Sequence, residues 1–598
     1  MTTQRVADYI AEFCVRSGVT DIFLVSGGGI MHILDGLICN KNINVLCAHH
    51  EGAAAVMAEG YSRITGNIGI VMVTTGPGST NAITGVVDAW VDSTPMLVIS
   101  GQTKRSQNVY NSGTLLRSLG GQEVNIIPII KSCTKYSEMV NDPEKIRYHL
   151  EKVVYYAREG RPGASWLDIP LDVQAAMIDP DKLESFTPPK RCRDTTRKIY
   201  DQIKQVIKLL EDAERPVLII GHGVRLAHAE KILLHLICTL KIPVVVSKLG
   251  QDLISYDHPF FVGLGGTKGS RAGNFAIQNS DLLLAIGSRL AIPFTGYEYK
   301  LFGRNAKKIA VDIDPIELSK NTIKLDIAIQ SDAKYFIQTM LLQLKASPPR
   351  ERTEWIERCR SWKERYPPVT TEMITSARPV SIYDFFDKIS TLATKNTILI
   401  ADAGSTYFVA SQAFRVKYGQ RIIIPAALGT MGFSIPLAIG AYYGNPNKQI
   451  IAVTGDGSLQ MNIQELQTIY HNKIPIKLFV INNGGYASIR NTQNAYFEGR
   501  LCGADCSSGV SCPDLKRISF AYKIPYEKIS NPKTMYFQIQ SVLGCRGPVI
   551  TEVFTDPNQQ IIPSVSSKVL PDGTMVSAPL EDMYPFLPRD VFEKEMEL

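Results

Sequence analysis

Short apolar runs that read as strands alternate with helical patterns along almost the whole chain, and this alternation limits the possible folds more than any other feature. The runs are IFLV, GIVMVTT, PVLIIG, IPVVVS, DLLLAIG, KKIAVDID, TILIADAG, QIIAVTGDG and IKLFVINN. Each is apolar almost continuously, without the polar–apolar alternation of a half-exposed strand, as expected for strands buried on both faces. Parallel neighbours need a long crossover between them, which a helix supplies, so the chain predicts α/β units with helices covering both faces of parallel sheets. At 598 residues it also exceeds what one core holds, since a domain usually takes about 100 to 200 residues.

Two stretches interrupt the alternation, Leu183 to Lys198 and Ala346 to Pro368, both rich in proline and charge as linkers are. They divide the chain into three doubly wound parallel-sheet units at 1–182, 199–345 and 369–562, followed by a tail at 563–598. The first and third units echo each other: Gly76-Pro77-Gly78-Ser79-Thr80-Asn81 and Gly455-Asp456-Gly457-Ser458 both follow an apolar strand and open a helix. The tail has no clear period and reads as an irregular arm on the surface, covering the active site.

Composition excludes more than it selects. A net charge of +7 spread along the chain, with no basic stripe, argues against nucleic acid as a partner. No apolar run approaches the roughly 20 residues that span a bilayer, and the first residues lack the pattern of a signal peptide, so a cytoplasmic enzyme with no membrane partner is expected. The eleven cysteines include Cys14, Cys47 and Cys238 inside apolar segments, where buried reduced thiols are expected. Cys502, Cys506 and Cys512 cluster, but no second pair or nearby His completes a four-ligand metal set.

The chemistry-bearing residues gather at strand ends. In the third unit QIIAVT runs into Gly455-Asp456-Gly457-Ser458, and the next strand ends in Asn482-Asn483, 27 residues after Asp456. In a doubly wound sheet both ends lie at the carboxyl edge, where ligands bind. Asp456, Asn483 and the Gly485 carbonyl then offer hard oxygens suited to Mg2+. Gly457 lets the backbone approach a phosphate that Ser458 faces from a helix start, and Gly404-Ser405-Thr406 provides a second such cradle. GDGS alone marks only a tight strand-to-helix turn; GDG followed at this distance by NN is far more specific. In the first unit, His49-His50-Glu51-Gly52-Ala53-Ala54-Ala55 follows a strand and sets Glu51 at a helix start, where a capping carboxylate would also sit.

Gly-Asp-Gly with Asn-Asn at this spacing resembles the signature of thiamine-diphosphate enzymes. The stretch HHEGAAAVMAEGYSR with GIVMVTTGPGSTNAITGVVDAWVDSTPMLVISG resembles the pyrimidine-binding domain of acetolactate synthases, and the likeness extends along nearly the whole chain. It implies three domains (pyrimidine-binding, central nucleotide-binding-like and diphosphate-binding) with thiamine diphosphate held through Mg2+ by Asp456 and Asn483. Glu51 is implied as the acid at N1′ that favours the cofactor's imino tautomer. In Leu428-Gly429-Thr430-Met431-Gly432 the resemblance implies that the Gly429 carbonyl binds the 4′-amino group and that Met431 holds the cofactor bent. Gly28 and Gly29 in the Gly27-Gly28-Gly29 loop, with Gln122, match the substrate channel. His50 is a candidate proton relay, or only a hydrogen-bonded neighbour of Glu51.

The implied reaction is decarboxylation of a 2-keto acid, pyruvate first, with transfer of the remaining unit to a second carbonyl. The implied assembly is a homodimer or homotetramer with sites between subunits. Gly221-His222-Gly223, Gly263-Leu264-Gly265-Gly266 and Asp312-Ile313-Asp314-Pro315 are the segments for FAD, or empty scaffold; both stay open. The sequence departs from acetolactate synthases at Gly287 to Pro293 and Asn483 to Arg490, where an Asp-Arg pair and a tryptophan are missing. The acceptor is therefore a 2-keto acid, an aldehyde or a keto-sugar nucleotide, the last suggested by the tail. A 2-keto acid decarboxylase or lyase without ligation, and a catalytically silent regulatory relative, are the competing readings.

Overall fold

The computed structural model describes residues 3–189, 195–345, 350–375 and 379–597. Residues 190–194 and 346–349 of the two expected linkers lie outside them. The described chain forms three six-stranded sheets in which every neighbouring pair is parallel. The first sheet contains β1 (Asp21–Leu24), β2 (Asn44–Cys47), β3 (Gly69–Val73), β4 (Met96–Gln102), β5 (Ser137–Met139) and β6 (Ala164–Pro170), in the order β2-β1-β3-β4-β6-β5. The middle sheet contains β7 (Pro216–Ile220), β8 (Val244–Val246), β9 (Phe261–Leu264), β10 (Leu282–Ile286), β11 (Lys307–Asp312) and β12 (Ile327–Gln330), in the order β9-β8-β7-β10-β11-β12. The third contains β13 (Thr397–Ala401), β14 (Arg421–Ile423), β15 (Gln449–Gly455), β16 (Lys477–Asn482), β17 (Tyr526–Ile529) and β18 (Val549–Phe554), in the order β14-β13-β15-β16-β18-β17.

Counted within each domain, the first and third sheets share the order 2-1-3-4-6-5, which is the echo seen in their motifs, while the middle sheet runs 3-2-1-4-5-6, the order of dinucleotide-binding folds. Successive residues of one strand enter opposite cores. Ile398 and Ile400 face one core while Leu399 and Ala401 face another, and in the middle sheet Leu218 and Ile220 oppose Val217 and Ile219. With both faces covered, polar positions have little place in these strands, which is why the runs are so uniformly apolar.

The first and third domains share one core. The helix Glu51–Thr65 lies against the helix Ser434–Gly444 with their backbones in contact: a Cβ on Gly60 would sit 2.4 Å from the Leu437 oxygen, and one on Gly440 would sit 1.9 Å from the Met57 oxygen. The small residues of AAAVMAEG are thus explained by close packing.

Three sequence expectations change. The stretch Ala346 to Pro368 carries a helix, Thr353–Arg365, whose Trp355, Cys359 and Trp362 lie three to four positions apart and are buried on the middle domain; its charges occupy the outer face and masked that period. The tail is not irregular. It pairs Ser564–Val565 with Met583–Tyr584 and Ser567–Val569 with Met575–Ser577, and ends in the helix Arg589–Met596, whose buried Glu595 accepts from the Trp362 indole at 2.7 Å and pairs with Arg365. Cys47 and Cys238 are exposed, although Cys14 is buried. Cys47 ends an edge strand, and Cys238 lies on the outer face of a helix that turns Leu233, Leu236, Ile237 and Leu240 inward.

Candidate active site

At the carboxyl edge of the third sheet, β15 and β16 are paired so that Gly455 lies opposite Ile481, and the chains leave the sheet side by side. Asp456 begins a helical turn and is 5% exposed. Its Oδ1 accepts the Gly457 N–H and its Oδ2 the Gly485 N–H, both at 2.9 Å. Burial raises its pKa, and the surrounding N–H groups of Gly485, Gly457, Gly484 and Asn483 act against that rise. Asn483 is 8% exposed and its buried Oδ1 has no hydrogen-bond partner, an arrangement that costs about 1–3 kcal/mol unless something else fills it. The Gly485 carbonyl receives the Ala487 N–H at 3.2 Å and keeps a second lone pair. Arg490 donates to the Asn483 carbonyl at 2.9 Å and to the Pro557 carbonyl at 2.6 Å, fixing the loop from behind.

The other cradle faces the same edge. Gly404 takes a positive φ of 76° ahead of the helix Ser405–Ala413, whose first N–H groups point out of the turn. Thr406 turns its hydroxyl back onto the Asp402 carbonyl at 2.6 Å and the Ala403 carbonyl at 2.9 Å, so its hydroxyl shapes the turn. Gly429 has φ 71°, and a Cβ there would meet nothing within 4 Å. Among the described residues no donor reaches its carbonyl. Met431 is half-buried beside it.

One residue that the motifs did not flag ties these pieces together. Asp402, fully buried, accepts from the Ala403 N–H at 2.8 Å, the Gly432 N–H at 2.9 Å, the Ser434 N–H at 3.2 Å and the Thr454 hydroxyl at 2.9 Å. It joins the Gly404 turn, the Gly429–Gly432 loop and the strand that ends at Gly455. A lone acid inside the otherwise uncharged run TILIADAG was the available signal.

In the first domain Glu51 opens the helix Glu51–Thr65, and its Oε2 accepts from the Asn81 amide at 3.0 Å. His50 is the N-cap: its Nδ1 accepts the Gly52 N–H at 3.0 Å, which leaves Nε2 to face outward. Thr74 and Thr75, unflagged within TTGPGSTN, organise the remainder. The Thr74 hydroxyl accepts the Gly29 N–H at 3.0 Å, and the Thr75 hydroxyl donates to the Gln122 carbonyl at 3.4 Å. A Cβ on Gly78 would lie 2.7 Å from Thr74 and 3.7 Å from Glu51 Oε1. Glu51, Gly29 and the Gln122 backbone therefore meet around one strand end, with Gly28 in a short turn open to solvent and the Gln122 side chain exposed.

The middle domain carries a cavity of about 220 Å³ at the switch point of its sheet. Its lining includes His222 and Gly223 after β7, Gly265 after β9, Gly287 and Ser288 after β10, and Asp312 at the end of β11, so it joins the three segments singled out in the sequence. Burial lowers the His222 pKa to about 3 and raises that of Asp312. Cys502 and Cys506 are exposed and Cys512 half-buried; among the described residues the one acid, Cys or His group compact enough for a metal is Glu59, Asp88 and Asp92, around Arg63.

The chain matches the thiamine pyrophosphate enzyme models for the N-terminal TPP binding domain over residues 4–123, the central domain over 203–340 and the C-terminal TPP binding domain over 402–553. It is 32% identical over 568 residues to the acetolactate synthase large subunit of Pyropia yezoensis, covering 93% of each chain. It is 31% identical over 566 residues to the probable acetolactate synthase large subunit of Methanocaldococcus jannaschii, covering 93% of this chain and 92% of the relative. With the acetolactate synthase isozyme 2 large subunit of Escherichia coli K12 the identity is 28% over 589 residues, 96% of this chain and 99% of the relative. Three matched domains, three parallel sheets and likeness over nearly the full length place this chain in the thiamine-pyrophosphate-dependent enzyme family, in the acetolactate synthase-like branch.

Proposed function

We propose that this enzyme holds thiamine diphosphate through Mg2+ at the edge of the third domain, decarboxylates a 2-keto acid such as pyruvate, and passes the remaining acyl unit to a second carbonyl. The observation that carries this reading is the unpartnered, buried Asn483 Oδ1 beside the Asp456 carboxylate. An octahedral Mg2+ that keeps diphosphate oxygens and a water needs only two such side chains and one carbonyl, here that of Gly485. The N–H group at Ser458 and those of the Gly404-Ser405-Thr406 turn suit diphosphate oxygens, and Gly455 keeps the strand end slim enough for them to approach.

When bound, thiamine diphosphate supplies the electron sink for the carbon–carbon bond that breaks. The residues of the chain bind, orient and move protons. Glu51, with one oxygen fixed by Asn81, would hold a proton at the pyrimidine N1′. The Gly429 carbonyl would accept from the 4′-amino group, and Met431 would pack against the cofactor. Gly28, Gly29 and Gln122 border the path for the substrate, and His50 presents Nε2 to the reacting oxygen. The middle-domain cavity supports FAD as a nucleotide cofactor, with Gly223 and Gly287 packed backbone to backbone in its lining and Asp312 offering a carboxylate to a ribose hydroxyl.

Glu51 is tied to Asn81 in its own domain, and no hydrogen bond joins it to the third-domain cluster among the described residues. The exposed Leu115, Leu116, Leu119 and Ile129 of the first domain support a partner face, and with it a homodimer or homotetramer whose sites lie between subunits. The described cysteines are all free, which supports a cytoplasmic setting. The test is to supply pyruvate, thiamine diphosphate and Mg2+ with a 2-keto acid, an aldehyde or a keto-sugar nucleotide, and to measure CO2 and product chain length. CO2 with a lengthened product is expected; CO2 with free aldehyde alone assigns a decarboxylase, and no CO2 from any mixture overturns the reading.

A further inference from the structure

Cations drawn into the interior of this chain are almost all neutralised or bonded to the main chain. Arg63 pairs with Glu59 and Asp92, and Arg225 and Arg421 pair with Asp252. Lys135, Lys363 and Lys477 end on main-chain carbonyls. Lys248 and Lys268 differ. They extend from the loops after β8 and β9 across the domain boundary to the helix Ser405–Ala413, the one that begins at the Gly404-Ser405-Thr406 turn. The Lys268 Nζ lies 4.2 Å from the centroid of the Phe408 ring, and the Lys248 Nζ lies 4.5 Å from the same centroid and 3.4 Å from the Tyr407 hydroxyl. Among the described residues neither makes an ion pair with a carboxylate. Burial lowers Lys248 to about 7, with the charge of Lys268 pushing it the same way, and burial lowers Lys268 to about 8.

Two like charges brought to one ring, largely out of water and without an acid, are unfavourable until an anion joins them. The loop that carries Lys268 is nevertheless held in place. Asn274 clamps the Lys268 loop by accepting the Gly266 N–H at 2.9 Å and donating to the Gly266 carbonyl at 3.0 Å. Gln412 donates to the Lys268 carbonyl at 3.3 Å. The tail closes over the loop: the Val565 N–H donates to the Thr267 carbonyl at 2.8 Å, and Asn274 donates to the Leu580 carbonyl at 2.9 Å. Lys248 lines the cavity that also touches Ala426 and Ala427, just ahead of the Gly429 loop.

We propose that Lys248 and Lys268, which reach the same Phe408 ring, with the tail bracing the Lys268 loop, bind the oxyanion group, carboxylate or phosphate, of the reaction's second substrate. The assignment rests on the carboligase reading above. The second substrate is favoured over the first because two ammonium groups on the donor's carboxylate would stabilise it against loss of CO2, whereas the acceptor keeps its acidic group throughout.

The holoenzyme, loaded with thiamine diphosphate and Mg2+, is titrated calorimetrically with inorganic phosphate and with malonate. Lys248→Met and Lys268→Met are each compared with the arginine variants and with Lys363→Met as a control. Binding of at least one probe is expected, weakened about tenfold or more by either methionine variant, retained by the arginine variants and untouched in the control. Phosphate preferred over malonate assigns a phosphorylated acceptor, and the reverse assigns an acidic one. No binding of either probe, equal binding by the methionine variants, or loss of bound flavin from those variants overturns the proposal; the last would assign the pair to the nucleotide. CO2 release from pyruvate by the unmodified holoenzyme is read in parallel, so failure of the carboligase reading is recognised separately.

Discussion

Asn483 separates stability from function at a single atom. Its Oδ1 is buried without a donor, so in the cofactor-free protein it opposes folding. Replacing it with a similarly sized apolar side chain removes that cost. Asn483→Leu is therefore expected to melt at the same temperature as the parent, or higher, without cofactor, by up to about 1–3 kcal/mol of stability. The same variant is expected to lose the further rise in melting temperature that thiamine diphosphate with Mg2+ gives the parent. Scanning calorimetry with and without both ligands checks this, and an equal ligand-induced rise in the variant would remove Asn483 from the metal site. Glu51 is the complementary case, since its amide keeps the Asn81 contact but cannot share a proton at N1′. Glu51→Gln should bind the cofactor and still lose at least about 100-fold in kcat; near-parental turnover would mean that Glu51 is only a helix-start carboxylate. In the sequence Asn483 is singled out by its spacing from Asp456, and Glu51 by its place at a helix start together with the family resemblance. Asp402 is not singled out by any motif, because three of its four donors, the Gly432 and Ser434 N–H groups and the Thr454 hydroxyl, come from segments far away in sequence, and no local pattern encodes that convergence.

At the scale of elements, the buried contact between the helices Glu51–Thr65 and Pro77–Val91 has its own pH dependence. Glu59, Asp88 and Asp92 surround one arginine, and Arg63 also donates to the Ile424 carbonyl at 2.7 Å, while Asp92 accepts the Ala426 and Ala427 N–H groups. One cation cannot balance three carboxylates out of water, and burial followed by like charge pushes Asp88 far above the usual carboxylate range, with Glu59 raised by its own burial. Folded Asp88 thus keeps a proton that the unfolded chain releases above about pH 4, so the folded state loses stability as pH rises. Asp88→Asn keeps a donor towards Glu59 and removes the titration. Its advantage over the parent should grow from about pH 5 to about pH 8, by no more than about 1.4 kcal/mol per pH unit, in urea unfolding. A difference independent of pH would mean that Asp88 is ionised in the folded protein. The strands themselves were read directly from their apolar runs, because burial on both faces imposes a uniform pattern. The helix Thr353–Arg365 escaped notice because it buries only a narrow face on the middle domain while its charged remainder dominates the sequence, and the tail strands because, at two or three residues each, they are too short to show a period.

At the scale of the whole molecule, the two halves of the proposed site belong to domains that share a core within one chain, yet Glu51 has no hydrogen bond to the third-domain cluster among the described residues. If the pyrimidine half of one subunit serves the diphosphate half of another, two inactive variants can repair each other. In a mixed dimer of Glu51→Gln and Asp456→Asn chains, one site receives both defects and the other receives none. Random assortment makes about half the dimers mixed, each with one sound site, so a refolded equimolar mixture should recover about one quarter of parental activity although each variant alone is inactive. If each chain builds its own site, every site in the mixture carries one defect and nothing is recovered. Activity against mixing ratio, measured beside a sedimentation profile showing that dimers have formed, distinguishes the two arrangements. The pairing of chains therefore decides whether the shared core of the first and third domains is itself the catalytic junction or the scaffold that presents each half-site to a partner.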